Sequence, residues 1–195
     1  LRLNFIISLL FLMPHLQAEI TVVNGQVSNG AGMTIRLMTY NDQVSYQRVT
    51  LASTTVSDDN HFSLSTDISS VLYCWLDLEF QNADLFLQPG QRYDVELDLN
   101  DYSLASSYYN RTGIPIRFIE DDDEELNISI RDFNQLYNEF LLDYAENTRS
   151  LNPKVAYETF VNAIELRFQQ NKSPYLKEYL RYKMASLQLY MRTKS

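Results

Sequence analysis

Cysteine is almost missing from these 195 residues: Cys74 stands alone, and glycine and proline supply only five residues each. One thiol excludes an intramolecular disulfide, a thiolate zinc site and a redox cysteine pair within the chain. Histidine is as scarce, with His15 and His61 only, so a histidine-rich metal centre is excluded too. Positive charge is thin: 16 Lys+Arg face 25 Asp+Glu, a formal net charge of -9. Nucleic acid and anionic membrane surfaces are therefore poor candidates for the main partner, because phosphates are held by clustered bases. No Gly-rich phosphate loop and no Gly-x-Ser-x-Gly elbow occurs. What the chain does have is apolar substance. Hydrophobic residues make up 45% and aromatics 13%, enough for one or two small domains with a real core.

The first stretch is an address. Residues 1–18, LRLNFIISLLFLMPHLQA, carry one charge at Arg2, an apolar run from Phe5 to Met13, a helix-breaking Pro14 and the small Ala18. This is the pattern of a secretory signal peptide cut after Ala18. Its uncharged run is far shorter than the roughly 20 residues that cross a bilayer, so no stable span is expected after cleavage. No cysteine near the cut allows a lipid-modified N-terminus. A start on Leu1 rather than Met points to an unusual start codon or a clipped gene model. Loss of Arg2 and His15 would leave 15 bases against 25 acids, a net of -10, with His61 as the remaining histidine. An exported chain with one thiol must be held by its core. A bacterial envelope protein fits this better than a eukaryotic extracellular module.

From Glu19 to about Leu99 the apolar residues alternate, with turn residues every eight to twelve positions, as in an antiparallel sandwich or barrel. About seven strands are predicted. The first spans Ile20 to Val27 and turns at Asn29-Gly30-Ala31-Gly32; the second sets Met33, Ile35 and Leu37 against Thr34, Arg36 and Met38. A third runs near Arg48 to Val56, and Ser57-Asp58-Asp59-Asn60 leads to a fourth with Phe62 and Leu64. In the fifth, Leu72, Cys74, Leu76, Leu78 and Phe80 face one way and Val71, Tyr73, Trp75, Asp77 and Glu79 the other. The sixth holds Leu85 and Leu87, and Pro89-Gly90 turns the chain into a seventh with Tyr93, Val95, Leu97 and Leu99 on one face. One buried and one wet face is what such a sheet permits.

Beyond a Tyr-rich connector (Asp101 to Gly113) and an acidic run, Glu120 to Glu125, the spacing becomes helical. Ile130, Phe133, Tyr137, Phe140, Leu141 and Tyr144 line one face of a helix over about 124–149, with acids at its positive end. Pro153 suits the first turn of a second helix carrying Tyr157, Phe160, Val161, Ile164 and Phe168. Ser173 caps a third, whose apolar face is Leu176, Leu180, Met184, Leu187 and Met191. The expected class is α+β: a signal peptide (1–18), an N-terminal antiparallel β-sandwich (19–119) and a helical region of about three amphipathic helices (120–195). Charge is uneven along this plan. Every lysine lies at or beyond Lys154, and from Arg167 onward seven basic residues face one acid, Glu178. A solvated helix face is the plain explanation; a basic third helix that meets an acidic surface is the sharper one.

No set of residues rises to a catalytic assignment. Cys74 lies on the apolar face of its strand, where burial raises a thiol's pKa and makes it inert, and disulfide exchange needs a second thiol. Alternation places His61 on the face opposite the core, so a Cys74–His61 nucleophilic pair is not expected. The run 120–125 lacks the glycine and the ligand spacing of a calcium loop. Neither cofactor nor metal is expected.

The expected hairpin Leu85-Phe86-Leu87-Gln88-Pro89-Gly90-Gln91-Arg92-Tyr93 resembles part of a sandwich domain of unknown function. That domain precedes the thioredoxin-like domain of envelope thiol:disulfide interchange (TlpA-type) proteins in Gram-negative bacteria, and the resemblance implies the periplasm or cell envelope of such a bacterium as the compartment. Gly25-Gln26-Val27, Ile35-Arg36-Leu37 and the turn-strand Asp58 to Leu64 match as well, with Asn60 in place of the usual Gly. The helical stretch ending Arg181-Tyr182-Lys183-Met184-Ala185-Ser186-Leu187 looks like the linker to the thioredoxin domain. The catalytic Cys-x-x-Cys of such proteins has no counterpart here, so their activity carries over to no residue of this chain. The third helix reaches Ser195 without a Gly cap or polar tail, and a C-terminal domain is expected to follow in the parent gene. The resemblance implies a non-catalytic spacer, dimerisation or partner-recognition module, with Tyr73 and Trp75 as candidate contacts. The alternative is a stand-alone envelope binding protein that holds a small ligand or glycan between sandwich and helices.

Overall fold

The computed structural model describes residues 18–42, 44–78, 81–99, 113–119, 125–147 and 152–192. The leader up to Gln17, the connector up to Thr112, Glu79 and Phe80 of the fifth strand, and the acidic run before Glu125 lie outside the described residues. The chain divides into two compact units, Leu1–Ile119 and Glu120–Ser195. Among the described residues no helix is long and apolar enough to cross a membrane.

The first unit contains β1 (Glu19–Ser28), β2 (Thr34–Tyr40), β3 (Arg48–Thr55), β4 (His61–Ile68), β5 (Leu72–Leu78), β6 (Gln81–Leu87), β7 (Arg92–Asp98) and β8 (Ile116–Phe118). They form two four-stranded sheets, ordered β4-β1-β7-β8 and β3-β2-β5-β6. Alternation dictates which side chains turn inward. Val23, Val27, Ile35, Leu37, Leu64, Cys74, Leu76, Leu85, Leu87, Val95 and Leu97 meet in one core, each at most 2% exposed. The sandwich-like layering and the strands-then-helices order agree with the sequence reading. Three details do not follow from periodicity. An eighth strand of three residues pairs with β7. The pairing of β1 with β7 is parallel, Val23 opposite Tyr93 and Val27 opposite Leu97, while the other strand pairs are antiparallel. Pro89-Gly90 joins strands of different sheets, so it forms an arch and not a hairpin.

That arch is held by specific bonds. Pro89 and Gly90 occupy the middle of a turn closed by the Gln91 amide on the Gln88 carbonyl at 3.3 Å. Gly90 has φ 72°, the left-handed conformation that the third residue of a type II turn demands. The Thr21 hydroxyl donates to the Gln88 carbonyl and accepts from the Gly90 amide (3.0 and 3.1 Å). The Tyr93 hydroxyl accepts from the Gln88 amide at 2.8 Å. A second pin lies at Asn60, whose φ is 67°. Asparagine tolerates this region better than other side-chain-bearing residues, and its side-chain Oδ1 accepts from the Gly30 and Ala31 amides at 3.1 Å each. Asn60 thus supplies the backbone shape of a glycine and ties two turns together.

The second unit has α1 (Leu126–Asn147), α2 (Pro153–Phe168) and α3 (Pro174–Arg192). Each start is capped: Glu125 accepts from the Ile128 amide, Asn152 from the Lys154 and Val155 amides, and Ser173 from the Leu176 amide. These bonds satisfy amides that have no partner within their helix. Phe133, Tyr144, Phe160, Ile164, Met184, Leu187 and Met191 form the buried centre, with Tyr137, Phe140, Phe168 and Tyr179 packed around it. Buried polar contacts fix the packing: Asn171 donates to the Ser129 hydroxyl (3.0 Å), and the Tyr179 hydroxyl to Asn134 (2.9 Å).

Candidate functional site

The inward side chains of β5 build the core, so their neighbours are turned to the outer face of the second sheet. There β5 presents Tyr73, Trp75 and Asp77, and the strands beside it complete a band of rings. Tyr40 of β2 lies 4.7 Å from the Trp75 ring, Tyr73 lies 6.2 Å from it on the other side, and Phe86 of β6 lies 5.4 Å beyond Tyr73. Tyr46, in the loop between β2 and β3, meets Tyr40 edge-on at 5.4 Å. Five aromatic residues therefore run across three strands and one loop. The Arg48 guanidinium sits over the Trp75 ring at 5.9 Å, a cation–π contact.

Trp75 corrects an expectation. It points outward as alternation requires, but it is only 3% exposed, because Tyr40, Tyr73 and Arg48 cover it. It is the floor of the band, not its rim. Tyr73 is half-buried, as are Tyr40 and Phe86. The most open ring belongs to Tyr46, 62% exposed, which strand periodicity could not have singled out. Tyr40 and Phe86 were legible, since they alternate with Thr39 and with Leu85 and Leu87.

Tyr46 is also held in an unfavourable backbone. Its φ is 52°, and a bulky residue in the left-handed region costs on the order of 1–2 kcal/mol. The surrounding loop imposes this shape. The Asp42 carboxylate accepts from the Val44 amide (2.8 Å), the Ser45 amide (2.6 Å) and the Ser45 hydroxyl (2.5 Å). These bonds, with that from the Ser45 hydroxyl first, hold the Asp42 carboxyl below the usual carboxylate range. The Asn41 amide donates to the Gln47 carbonyl across the loop base at 2.8 Å.

Polar groups edge the rings. Asp84 of β6 stands opposite Trp75 and receives the Tyr73 hydroxyl; burial first, and then the charge of Asp84, push the Tyr73 hydroxyl up. Asp84 keeps an exposed surface, yet crowding by its neighbours raises its carboxyl while the Tyr73 bond opposes that rise. Arg36 and Asp77 pair at 3.3 Å, and the Thr50 hydroxyl contacts the Met38 sulfur at 3.0 Å. The arrangement offers stacking surfaces with hydrogen-bonding groups at their margins.

Cys74 and His61 are not brought together. Cys74 is fully buried in the core side of the second sheet, and burial pushes its thiol up to about 12. His61 is exposed on β4 of the other sheet, its Nδ1 2.9 Å from the Asp59 carbonyl oxygen. Among the described residues no group of three or more His, Cys, Asp or Glu is placed to hold a metal ion. No protein-family model matches the chain, and no curated protein matches it.

Proposed function

We propose that the chain is the non-catalytic N-terminal part of an exported thioredoxin-like thiol:disulfide interchange protein, working in the envelope, and that its sandwich recognises a protein partner through the band from Tyr46 to Phe86. The observation that carries the recognition role is Tyr46. An exposed aromatic side chain held at a positive φ is an expense that a purely structural loop would avoid with glycine or asparagine. Tyrosine and tryptophan are enriched where proteins meet, and Arg48 and Asp84 give such a contact its polar edges. Cys74 supports the non-catalytic half of the reading, because a buried, protonated thiol is neither nucleophile nor leaving group.

The test is a photo-crosslinking residue placed at Tyr46 and, separately, at His61 on the other sheet, with cross-linking in the envelope. Protein adducts at Tyr46 that are absent at His61 and lost with Tyr73→Ala are expected. Equal adducts at both positions, or none at Tyr46, would defeat the recognition role. A Trp-Cys-x-x-Cys encoded in frame with this chain in the parent gene would support the reading, and its absence there would count against it. The chain alone should give no turnover of a disulfide substrate. A small ligand or glycan is the second reading, favoured by the flat rings with Arg48 and Asp84 beside them. It would be recognised by a sugar that changes the emission of Trp75, the one tryptophan of the chain.

A further inference from the structure

Each sheet of the sandwich ends in two edge strands, and one of the four edges stands out. β8 is three residues long. On β6 the Asn82 carbonyl accepts from the Ile114 amide at 2.8 Å, and on β4 the His61 carbonyl accepts from the Ser57 amide at 2.9 Å, with the charged Asp67 further along. β3 differs. It runs for eight residues at the rim of the second sheet, and from Val49 to Thr55 it holds no charge and no proline, the residues that keep natural edges from pairing.

The hydrogen bonds around β2 show which groups of β3 are engaged. Odd-numbered residues of β2 and its flanks turn their backbone toward β3: the Met33 carbonyl accepts from the Val56 amide, the Asn41 amide donates to the Gln47 carbonyl, and the Ile35 carbonyl accepts from the Ser53 hydroxyl. Val49, Ala52 and Thr54, opposite Thr39, Leu37 and Ile35, therefore meet β2, and Leu51 is the extra residue of a bulge. Arg48, Thr50, Ser53 and Thr55 turn their amides and carbonyls the other way. All four residues are exposed, and these backbone groups have no hydrogen-bond partner among the described residues.

We infer that the partner of the aromatic band docks by adding an extended segment beside β3, with a carboxylate of that segment on Arg48. This site rests on the recognition role proposed for the band and names the form of what it recognises. Amides and carbonyls repeating along a strand are matched by another extended backbone, whose alternate side chains then share the outer face with the rings. Arg48 joins the two surfaces. Its backbone lies on the open edge, while its guanidinium sits over Trp75 at 5.9 Å and forms no ion pair among the described residues. Tyr46, two residues earlier, stands at the start of the edge. A second copy of the chain fits poorly. Antiparallel pairing of β3 with itself over its full length puts the two-fold axis between Leu51 and Ala52, so the bulges of both copies meet where the ladder must be continuous. It also brings Thr55, not an acid, to Arg48.

The full chain is to be titrated with the capped peptide acetyl-TVTVTE-amide while amide hydrogen exchange reads where it sits. Protection of Thr50, Ser53 and Thr55 that spares Ser63 and Ser65 of β4 is expected. N-methylation of alternate peptide amides separates strand addition from other contacts: one methylated set should abolish protection and the other should leave it. Ser53→Pro removes an amide that takes no part in the ladder to β2, and should raise the Kd by roughly fivefold or more. Arg48→Glu should weaken this peptide and favour acetyl-TVTVTK-amide. In the envelope, cross-linking at Tyr46 should fall in the Ser53→Pro chain. Adducts undiminished there, methylated sets that act alike, or no protection at any soluble peptide concentration would overturn strand addition and leave the band standing as a recognition surface. A chain that dimerises unaided and becomes monomeric with Ser53→Pro would overturn it too, by placing a second copy on the edge. If Ser53→Pro fails to fold, the methylated peptides decide. Absence of Tyr46 adducts in the parent chain defeats the band's role instead, and peptide protection then decides the edge by itself.

Discussion

The two units use aromatic residues in opposite ways. The sandwich fills its interior with aliphatic side chains, Phe62 and Tyr93 being the aromatic members of its buried core, and places Tyr40, Tyr46, Tyr73, Trp75 and Phe86 on an outer face. The helical unit does the reverse. Phe133, Tyr144 and Phe160 are buried, Tyr137, Phe140, Phe168 and Tyr179 pack on them, and the exposed rings Tyr182 and Tyr190 make no band comparable to that of the sandwich. Two sheets about 10 Å apart are filled well by Val, Leu and Ile, and the spacing of helix axes, about 8–10 Å, follows the side chains at the contact, so the aromatic core of the helical unit is a choice of its sequence. Among the described residues the band of the sandwich lies outside its buried core, and that asymmetry supports the recognition role proposed for it.

The sharpest break of the contrast compares one phenylalanine from each unit. Phe133, fully buried, stacks within 5.6, 5.9 and 6.4 Å of Tyr137, Tyr179 and Phe168. Phe133→Ala is expected to cost ~3–5 kcal/mol. Phe86 shares ring contact with Tyr73 at the surface, and Phe86→Ala should cost ~1 kcal/mol. Urea titrations of both variants check this. Equal losses would mean that the outer band is part of the fold's stability and not a surface set aside for contact.

Alkaline pH separates the units by the groups each has buried. Burial raises the Cys74 thiol to about 12 from 9.0, so the folded state binds that proton more tightly than the unfolded chain does. The resulting stability is whole below about pH 9 and is lost as pH rises toward 12, at ~1.4 kcal/mol for each pH unit. In the helical unit, burial likewise raises Tyr137 and Tyr175, which adds a loss of the same sign. Cys74→Ala removes the thiol's share. Its stability curve should fall less steeply than the parent's between pH 9 and 11, by roughly 2 kcal/mol over that interval. Parallel curves would show that the thiol ionises without hindrance in the folded protein.

Much of this contrast could be read from the residues themselves. Alternation turned Cys74 inward and Tyr73 outward, three-and-four spacing gave the apolar faces of all three helices, and Asn152-Pro153 and Ser173-Pro174 marked two helix starts. The limits are equally specific. Trp75 was expected at the surface because periodicity reports the side of a sheet; its cover comes from Tyr40 and Arg48, distant in sequence. The parallel union of β1 with β7 depends on strands about 70 residues apart, and pairing of that range leaves no local trace. β8 is three residues long, too short for a period. Tyr46 was invisible because its exposure follows from a loop conformation that Asp42 sets.

Asn60 tests whether the sandwich's turns are as finely fitted as its core. Asn60→Ala loses both bonds to the Gly30 and Ala31 amides and forces alanine to φ 67°, for an expected loss of ~2 kcal/mol. Asn60→Gly keeps the conformation and loses the bonds, for under ~1 kcal/mol. If alanine and glycine prove equal in thermal unfolding, the side-chain bonds and not the backbone shape hold this turn.

The smallest effect on stability carries the most about function. Tyr46→Gly relieves a left-handed tyrosine, a gain of ~1 kcal/mol, and removes its edge contact with Tyr40, a loss of ~0.5–1.5 kcal/mol. The two nearly cancel, and thermal unfolding should shift little. Partner capture by the band should fall sharply in the same variant. A tyrosine that contributes nothing to the fold, on a loop braced by three bonds to Asp42, is then explained by what binds it. If instead Tyr46→Gly unfolds the protein, the loop's strain is repaid within the sandwich, and the outer band loses its strongest claim to being a site.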